Sequence, residues 1–439
     1  MMIVKNNDDL ITEIESENKT IYLKGLYRLF VNKAKSYFFD GKFLKYLIQF
    51  KEGNKIIDGS DADIEVNIDE TLEADLSIFS IFKNVKNLRF RNMRIFIRYN
   101  GGNSSKMICA IHNTSYRMNL LDCELTYYSE SQINFIGIYN NGNLDTHLDT
   151  PADNLYVRGC RLSLVCKPQE INLECKLYGI YNDLANSISI SENYIFVQLA
   201  GSGKAHQAIA IFNGGRFARI ENNNIKANGT HSKGFQLEQA HAIGVYNIGV
   251  YMVFVGNNCI GEWGGRCIGI LNEGNYAIIS ANKILATHTI MGRTVILNAN
   301  SCIVSENVLT GTSRNPHIIE VSGEFHTING NFLKGLLAPK EYRSGVGIFI
   351  QGTPENKTRK NKIFDNMISY IRDYGILAVD SECNTIKGNL IEKIEAVNDF
   401  IPIFAPQDYV AENNCEGIFQ FENPEKNIKR NLDAAVRSI

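Results

Sequence analysis

The stretch GIYNDLANSISISENYI, residues 179–195, contains both phrases that the rest of the chain repeats. The first phrase is a short apolar run that ends at Asn182, and the second ends at Asn193 before another apolar run begins. Runs of Ile, Val, Phe and Tyr separated by Asn and Gly are typical of β-strands and turns. The stretch therefore predicts strands joined by tight corners, and amphipathic windows of helix length are missing from the middle of the chain.

Both phrases recur along the chain, each with an asparagine at its end. The asparagines of the first phrase are Asn113, Asn140, Asn182, Asn213, Asn247, Asn272 and Asn298. Those of the second phrase are Asn193, Asn223, Asn258, Asn282, Asn307, Asn331, Asn366 and Asn389. The intervals fall between 23 and 42 residues, which indicates a repeat near 24 residues with insertions. A repeat this short cannot bury its own apolar face, so successive repeats must stack.

Two asparagine columns per repeat favour a parallel β-helix, an all-β solenoid. Stacked strands lie about 4.8 Å apart, so an asparagine at one corner lies above its counterpart in the next coil and can bond to it. Asparagine also tolerates the left-handed backbone that tight corners need. Leucine-rich repeats have a similar period and an asparagine column, but they need a Leu-dominated strand followed by a helical segment. Here Ile is as common as Leu in the core positions.

The phrase pair GIYN…ISxNxI resembles the right-handed parallel β-helix superfamily of pectate-lyase-like proteins. Residues 20–29 resemble the strand and turn with which many of these domains begin, and the resemblance covers roughly residues 18–423. It implies a single-stranded right-handed parallel β-helix of about 11–13 coils with a carbohydrate-directed role. The polygalacturonase motif set, Asn-Thr-Asp, Asp-Asp, Gly-His-Gly and Arg-Ile-Lys, does not occur.

The ends of the chain are predicted to cover the exposed edges of the coils. We expect an N-terminal cap over residues 1–19, the β-helix over 20–423 and a C-terminal helical cap over 424–439. The first cap contains a short helix near residues 8–15. An uncovered coil edge would invite strand pairing with another chain, which capping helices prevent.

The composition excludes several classes of protein. The 439 residues carry a formal net charge of −2, and 44% of them are hydrophobic. This excludes a disordered chain and gives no basis for nucleic acid or an anionic membrane as partner. Neither a signal peptide nor a transmembrane run is recognisable, which predicts a cytoplasmic or virion-associated protein. Ten cysteines without a CxxC pair predict reduced, mostly buried thiols.

Alternation in the first phrase predicts which side chains face outward. With Ile209 and Ile211 pointing inward, a stripe of small residues lies on an outer surface. The stripe contains Ala110, Gly137, Gly179, Ala210, Gly244 and Gly269. The aromatic residues beside it are the candidate substrate-binding residues, Tyr139, Tyr181, Phe212 and Tyr246. A loop or a second subunit packs on the stripe, or it is the floor of a saccharide groove, or the faces are reversed and the aromatics are core.

Insertions between repeats, together with the coil that follows one of them, supply the candidate catalytic residues, because loops can grow without disturbing the stack. The candidates are Lys204, Glu238, His241, Glu262 and Arg266. Two carboxylates suit a glycoside hydrolase, one as proton donor and the other as base or nucleophile. A base with a cation that neutralises a sugar carboxylate suits a polysaccharide lyase. No cofactor is predicted. Asp145, His147, Asp149 and Asp153 could surround Ca²⁺, although a solvated acidic loop is the simpler interpretation.

We therefore predict a carbohydrate-active enzyme, a polysaccharide lyase or a glycoside hydrolase that cleaves a polysaccharide or oligosaccharide, including acidic ones. One alternative is a non-catalytic glycan-binding protein or a structural trimer like a phage tail spike. Another is an intracellular enzyme acting on fructose-based or uronate oligosaccharides. A homo-oligomer such as a trimer suits all of them. The class of activity is implied by the resemblance, since a fold alone does not determine function.

Overall fold

A computed structural model describes residues 2–4, 7–16, 19–39, 42–82, 85–142, 153–171, 173–203, 206–229, 240–335, 345–392, 400–415, 418–421 and 435–438. These residues belong to two compact units, Met1–His241 and Ala242–Ile439. In each unit the strand of one coil pairs in parallel with the strand at the same position of the next coil. The predicted fold, a right-handed parallel β-helix, is confirmed.

The first unit begins with an α-helix, Asn7–Glu15. Its apolar side chains Leu10 and Ile14 are fully buried. The buried Lys55 donates from Nζ to the carbonyl oxygen of Ile14 at 2.8 Å, which satisfies a group at the C-terminal end of the helix. The short helix predicted near residues 8–15 is therefore confirmed.

The coils of the first unit have three walls of strands. The first wall contains Lys42–Phe50, Asp75–Ile81, Met107–Asn113, Asn134–Asn141, Cys175–Asp183 and His206–Asn213. The second contains Met2–Val4, Thr20–Phe30, Ile56–Ile68, Lys86–Arg91, Tyr116–Leu121, Tyr156–Arg158, Ser189–Ser191 and Arg219–Glu221. The third contains the C-terminal halves of Thr20–Phe30 and Ile56–Ile68, followed by Arg94–Tyr99, Glu124–Ser129, Arg161–Cys166, Tyr194–Leu199 and Asn224–Asn228.

Short elements complete the first unit outside these walls. A 3-10 turn, Val31–Lys33, leads into Lys35–Phe39, which pairs antiparallel with the first strand of the first wall. A small separate pair is formed by Glu170–Ile171 and Ser202–Gly203.

The second unit has the same three walls. The first wall contains Ala240–Asn247, whose first two residues belong to the first unit, then Arg266–Asn272, Val346–Gln351, Tyr374–Val379, Ile401–Phe404, Ile418–Phe421 and Ala435–Ser438. The second contains Val253–Val255, Ile278–Ser280, Ile303–Ser305, Thr327–Asn329, Lys362–Phe364, Thr385–Lys387 and Tyr409–Ala411. The third contains Asn258–Glu262, Phe332–Gly335, Met367–Ser369, Leu390–Ile391 and Asn414–Cys415.

Two long strands of the second unit pass from the third wall into the first. They are Lys283–Asn298 and Val308–Ser322, and each pairs with a different strand through each half. A separate pair, Thr358–Arg359 with Ser381–Glu382, lies outside the walls.

The predicted C-terminal helix is corrected where the structure describes it. Ala435–Ser438 is a strand, and it pairs in parallel with Ile418–Phe421. Pairing satisfies the backbone groups of the coil edge that the helix was expected to cover. The preceding residues 422–434 lie outside the described part of the chain, and the division into caps and β-helix stays a prediction.

The first asparagine ladder is confirmed, with one correction. In the first unit the side-chain Nδ2 of Asn113 donates to Oδ1 of Asn140 at 2.7 Å, and the chain of bonds continues through Asn182 to Asn213. In the second unit Asn247 donates to Asn272 at 2.7 Å. Asn298 does not belong to this ladder, because the buried Leu297 takes the position opposite Asn272.

The second ladder is also confirmed and is longer than predicted. Asn193 bonds to Asn223 in the first unit at 2.9 Å. In the second unit the bonds run from Asn257 through Asn282, Asn307, Asn331, Asn366 and Asn389 to Asn413. The member is therefore Asn257 and not Asn258, and Asn413 is an addition. A third ladder, which the sequence analysis missed, passes from His326 through Asn361 and Asn384 to Asp408.

The left-handed backbone of each corner belongs to the residue before the second-ladder asparagine. These residues are Glu192, Asn222, Gly256, Ala281, Glu306, Gly330, Asp365, Gly388 and Glu412. Asparagine is therefore needed at the ladder position for its amide rather than for its backbone tolerance, which corrects the expectation. Asn257, and not Asn258, joins the ladder because it is the residue that directly follows the left-handed Gly256.

The small residues of the first phrase face the interior, so the predicted outer stripe is wrong. A Cβ atom added to Gly137 would lie 3.2 Å from Cδ2 of the buried Leu125. One added to Gly179 would lie 2.9 Å from Cγ2 of the buried Ile195. The backbone carbonyl oxygen of the next coil is closer still, 2.6 Å from the added Cβ at Gly137 and less than that at Gly179, so glycine is needed because this carbonyl and third-wall side chains occupy the space.

A bend in the strand explains why simple alternation fails. Ile136 pairs with Tyr178 and Ile138 with Ile180, while the glycines between them interrupt the pairing. Because the strand bends at this position, Gly137 and the residue after it both point inward. Alternation restarts on the far side of the bend.

The second ladder predicts a measurable loss of stability. The side chain of Asn282 donates to Asn307 and accepts from the backbone N–H of Asn257. We expect Asn282→Ala to lower the free energy of unfolding by about 2–4 kcal/mol, because it leaves buried partners unsatisfied. Asn258→Ala, at a half-buried neighbouring position outside the ladder, should cost less than about 1 kcal/mol in the same urea titration. Equal losses would contradict the ladder's role.

The corner backbone predicts a stabilising substitution. Ala281 is exposed and has a φ of 55°, a left-handed conformation that costs an L-residue about 1–2 kcal/mol. Ala281→Gly should raise the unfolding free energy by about 0.5–1 kcal/mol, after the extra entropy of the unfolded chain is subtracted. The buried strand variant Ala286→Gly should be destabilised in the same assay. A destabilised Ala281→Gly protein would refute the assignment of strain.

Candidate functional site

The bend in the first-wall strands gives the outer face two columns of side chains. Residues three apart, on either side of the bend, both face outward: the ring centroids of Tyr178 and Tyr181 are 4.9 Å apart. In the second unit the same relation joins His317 and Glu320, whose Nδ1 and Oε2 atoms are 3.2 Å apart. Ile209 is buried, as expected of a core position, but it pairs with Tyr178 and so belongs to the outer column rather than to the column of Ile211.

Three of the four predicted substrate-binding residues form one aromatic stack in the first unit. The rings of Tyr181 and Phe212 are stacked at 4.5 Å, and Tyr139 meets Tyr181 edge-on at 5.4 Å. His112 stacks on the other side of Tyr139 at 5.0 Å. Burial raises the pKa of the neighbouring Asp183, although the hydroxyl of Tyr139 donates to its carboxylate at 3.5 Å. The stack therefore places a carboxyl group beside half-buried tyrosines.

The remaining predicted residues are divided between the units. Those outside the described residues are Lys204, Glu238, Asp145, His147 and Asp149. His241 is half-buried at the end of the first unit. In the second unit Glu262 and Arg266 are half-buried, and Tyr246 donates to the Glu273 carboxylate at 2.8 Å. The roles assigned to these residues stay predictions.

A cluster of three charged or titratable side chains lies on the outer face of the second unit. Arg293 and His317 are paired across neighbouring coils. The Oε2 atom of Glu320 accepts from Nε of Arg293 at 2.7 Å and lies 3.2 Å from Nδ1 of His317. The side chains of Arg293, His317 and Glu320 are only 6%, 12% and 22% exposed. The cluster is therefore shielded from water although it stands outside the coil.

Burial and mutual charge determine the protonation states of the cluster. Desolvation lowers the pKa of His317, the bond to Glu320 opposes this, and the charge of Arg293 lowers it further. Burial raises the pKa of Glu320, but the bond from His317 and the charge of Arg293 outweigh it, so the pKa lies below its ordinary value. At neutral pH the cluster therefore contains an ionised carboxylate, a neutral imidazole and a guanidinium.

The geometry leaves one nitrogen of the imidazole available. With Glu320 accepting from the protonated Nδ1, Nε2 carries the lone pair, and no described residue bonds to it. A carboxylate that orients an imidazole in this way prepares it to accept a proton. His317 can thus act as a general base.

Arg266 supplies a second cation beside the cluster. It pairs with Met291, two residues before Arg293 on the adjacent strand. Desolvation is the main cause that lowers the pKa of Arg293, Glu320 raises it, and the charge of Arg266 lowers it further. Its Nε atom is buried and has no hydrogen-bond partner within the described part of the chain. A buried guanidinium donor without a partner is costly, and an anionic ligand would satisfy it.

Glu320 connects the cluster to a cleft of about 850 Å³ in the second unit. Most of the residues that line it are polar, including Asn275, Asn298, Asn300, Gln351, Thr353, Lys357 and Thr358. Two aromatic residues, Tyr276 and Phe325, line it as well. A cleft that combines amides, hydroxyls and exposed rings suits an oligosaccharide.

Sequence reasoning found Arg266 but missed Arg293, His317 and Glu320. Strict alternation places positions 317 and 320 on opposite faces, and only the bend between them brings both outward. One signal in the sequence could have found them. Arg293 and His317 follow Ile268 in one outer column, and Glu320 follows Leu271 and Ile296 in the other, so polar residues replace aliphatic ones there. Among the described side chains no group of three or more His, Cys, Asp or Glu could hold a metal ion.

No protein-family model matches the chain, and no curated protein matches it. Three solved structures to which it is similar are distant. The A-module of a mannuronan C-5 epimerase from Azotobacter vinelandii has 11% identity over 92% of this chain and 93% of its own, with a TM-score of 0.46. A tailspike protein of the E. coli bacteriophage HK620, in complex with a pentasaccharide, has 11% identity over 98% and 73%, with a TM-score of 0.45.

The third is a family 6 polysaccharide lyase from Pseudopedobacter saltans, with 13% identity over 94% of this chain and 92% of its own, and a TM-score of 0.41. Likeness this remote assigns no role to any residue of this chain.

No helix in the described ranges is long and apolar enough to cross a membrane. The ten cysteines are free thiols, nine buried and Cys383 exposed.

The cluster predicts the titration of His317. In a histidine-selective NMR titration its pKa should lie below the ordinary value of 6.5. Glu320→Gln should lower it further, because the carboxylate that favours the imidazolium is gone while the charge of Arg293 remains. Glu324→Gln, at a carboxylate of the same cleft that pairs with Arg359 at 2.7 Å, should leave it unchanged. A rise of the His317 pKa in Glu320→Gln would refute the arrangement.

Proposed function

We propose that the protein is a polysaccharide lyase acting on a uronate-containing glycan. The observation that carries the proposal is the shielded cluster of Arg293, His317 and Glu320, with the unpartnered Nε of Arg266 beside it. Elimination at a uronate needs a cation that neutralises the sugar carboxylate and a base for the proton on the adjacent carbon. The cluster offers both within one group of side chains.

In the proposed reaction Arg266 binds the uronate carboxylate. Nε2 of His317 removes the proton from C5, and the electron pair of that C–H bond is delocalised into the carboxylate. It then forms the double bond between C4 and C5, while the bond from C4 to the glycosidic oxygen breaks. The leaving oxygen takes a proton from water or from the imidazolium. Glu320 holds the imidazole in the required tautomer and stabilises its positive charge.

Burial supports this assignment of roles. Removing water from the cluster strengthens the attraction between a guanidinium and the negative charge that develops on the substrate. Desolvation also keeps His317 neutral, as a base must be. Arg293 is already engaged with Glu320, so the unpartnered Arg266 is the better candidate for the substrate carboxylate.

A glycoside hydrolase is less well supported by the same side chains. Its general acid needs a carboxyl group whose pKa is raised, so that it is protonated at the working pH. The pKa of Glu320 is instead lowered by His317 and Arg293 despite its burial. The second carboxylate of the cleft, Glu324, is in an ion pair with Arg359.

The lyase proposal predicts the loss of product in two variants. With a panel of uronate polysaccharides, the wild type should release unsaturated uronate ends, read as ultraviolet absorbance. His317→Gln should lower kcat about 10²–10⁴-fold, as expected for removal of a general base. Arg266→Ala should lower kcat/KM about 10²–10³-fold, because one electrostatic stabiliser is lost. Arg219→Ala, whose exposed side chain pairs with Glu221 in the first unit, should keep full activity.

The pH profile gives an independent check. Because burial lowers the pKa of His317, kcat/KM should fall only on acidification below pH 6.5, where the base becomes protonated. New reducing ends without unsaturated uronate would identify a hydrolase. Full activity of His317→Gln would refute the assigned base. Glycan binding without any product would favour the adhesive alternative.

A further inference from the structure

One corner of the second unit carries a column of side chains in left-handed backbone conformations. From coil to coil the residues are Tyr251, Tyr276, Ser301, Phe325 and Lys360, each with a φ between 57° and 62°. Backbone bonds link the positions: the N–H of Tyr276 donates to the residue before Ser301, and that of Ser301 to the residue before Phe325. Tyr276, Ser301 and Phe325 are therefore stacked neighbours.

Aromatic residues are an unfavourable choice for this position. The left-handed conformation costs a side-chain-bearing residue about 1–2 kcal/mol, which glycine avoids. The rings also gain little from burial, since Tyr276 and Phe325 are 49% and 51% exposed. Burial in the free protein therefore offsets little of that cost, and a ligand that covers the rings would add to that burial.

The rings of Tyr276 and Phe325 each have one face covered by the column residue on the side away from Ser301. Tyr251 stacks on Tyr276 with ring centroids 5.0 Å apart and planes within 13°. On the far side of the column, Nζ of Lys360 lies 5.1 Å from the centroid of the Phe325 ring. The opposite faces of Tyr276 and Phe325 are turned toward the coil between them, where the small Ser301 stands.

Ser301 carries no ring, so a slot of definite width lies over it, between the rings of Tyr276 and Phe325. Rings in adjacent coils are 5.0 Å apart at this corner, so rings two coils apart are separated by about 10 Å. A single flat ring between them would lie about 5 Å from each, which is the usual distance for stacking. The slot therefore accepts one ring, and Tyr276, Ser301 and Phe325 all line the cleft of about 850 Å³.

Polar groups beside the slot match a ring with hydroxyls on its edge. The Oδ1 atoms of Asn275 and Asn300 accept backbone N–H groups of the next coil, each at 2.8 Å. Their Nδ2 groups are left as donors, with no acceptor among the residues that the structure describes. Both side chains are exposed in the same cleft.

We propose that the slot above Ser301, between Tyr276 and Phe325, binds one pyranose ring of a glycan. The C–H faces of the sugar stack on the two aromatic rings, and its hydroxyls accept from Asn275 and Asn300. The slot deepens the proposed function by adding a binding subsite, and it takes only its ligand class from that function. Its test measures binding and does not depend on turnover.

The test fills the slot or removes its walls. Calorimetry is performed on the full chain with hexasaccharides of mannuronate, guluronate and galacturonate and with cellohexaose. Ser301→Tyr completes the ring column and should weaken binding of the best hexasaccharide at least tenfold while keeping the thermal midpoint. Tyr276→Ala and Phe325→Ala should each weaken it about 3- to 10-fold, as expected for one aromatic contact.

Phe217→Ala is the matched control. Phe217 is 56% exposed and left-handed, but it lies in the first unit and does not line the cleft. This variant should bind like the wild type. Adenosine monophosphate serves as a flat aromatic probe that lacks a pyranose. Its base can enter the slot but has no hydroxyls for Asn275 and Asn300, so it should bind at least tenfold more weakly than the best hexasaccharide.

The outcomes separate the slot from the lyase proposal. Weakened binding by Ser301→Tyr without any unsaturated product supports the slot and refutes the lyase. Unsaturated product with an unchanged KM in Ser301→Tyr supports the lyase and refutes the slot. Unchanged affinity of Ser301→Tyr, no binding of any hexasaccharide, or binding of the nucleotide alone each overturns the slot.

Discussion

The hydrogen bond between side-chain amides of successive coils is the interaction on which the rest of the structure depends. Backbone bonds hold parallel strands about 4.8 Å apart, but they would form equally well after a slip of two residues. A buried amide at each corner removes that freedom. A slipped coil would leave the amide without its partner, at a cost of about 1–3 kcal/mol. Each ladder therefore sets the register of the coils that it joins, as between Asn282 and Asn307.

Because the register is fixed, outward side chains of successive coils stand one above another, and each of these positions can carry a different residue without changing the fold. The bend at the small residues adds a second outer column, because residues three apart then face the same way. In the second unit this allows His317 and Glu320 to meet on one strand while Arg293 joins them from the neighbouring coil. Interior residues on both sides of the bend, such as Ile318 and Ile319, stay fully buried. The core therefore stays apolar while the outer face carries charged side chains.

Charges that are shielded from water cost free energy unless they are paired. Glu320 is bonded to both Arg293 and His317, which compensates much of that cost, whereas Arg266 keeps a buried donor without a partner. The exposed rings of Tyr276 and Phe325 in strained corners are a second local cost, in the cleft that Glu320 also lines. Such local costs are typical of a ligand-binding site, since the ligand supplies the missing contacts.

The sequence by itself determined the fold, because the two asparagine columns and the strand-rich repeat around residues 179–195 have one economical solution, stacked parallel coils. It also located the ladder positions to within one residue, as Asn257 and Asn258 illustrate. Only the tertiary structure decided which side chains face outward. Alternation assumes a straight strand, and the bend at Gly137 and its equivalents moves His317 and Glu320 onto one face. The slot at Ser301 likewise depends on stacking between coils, which places residues about 24 positions apart side by side.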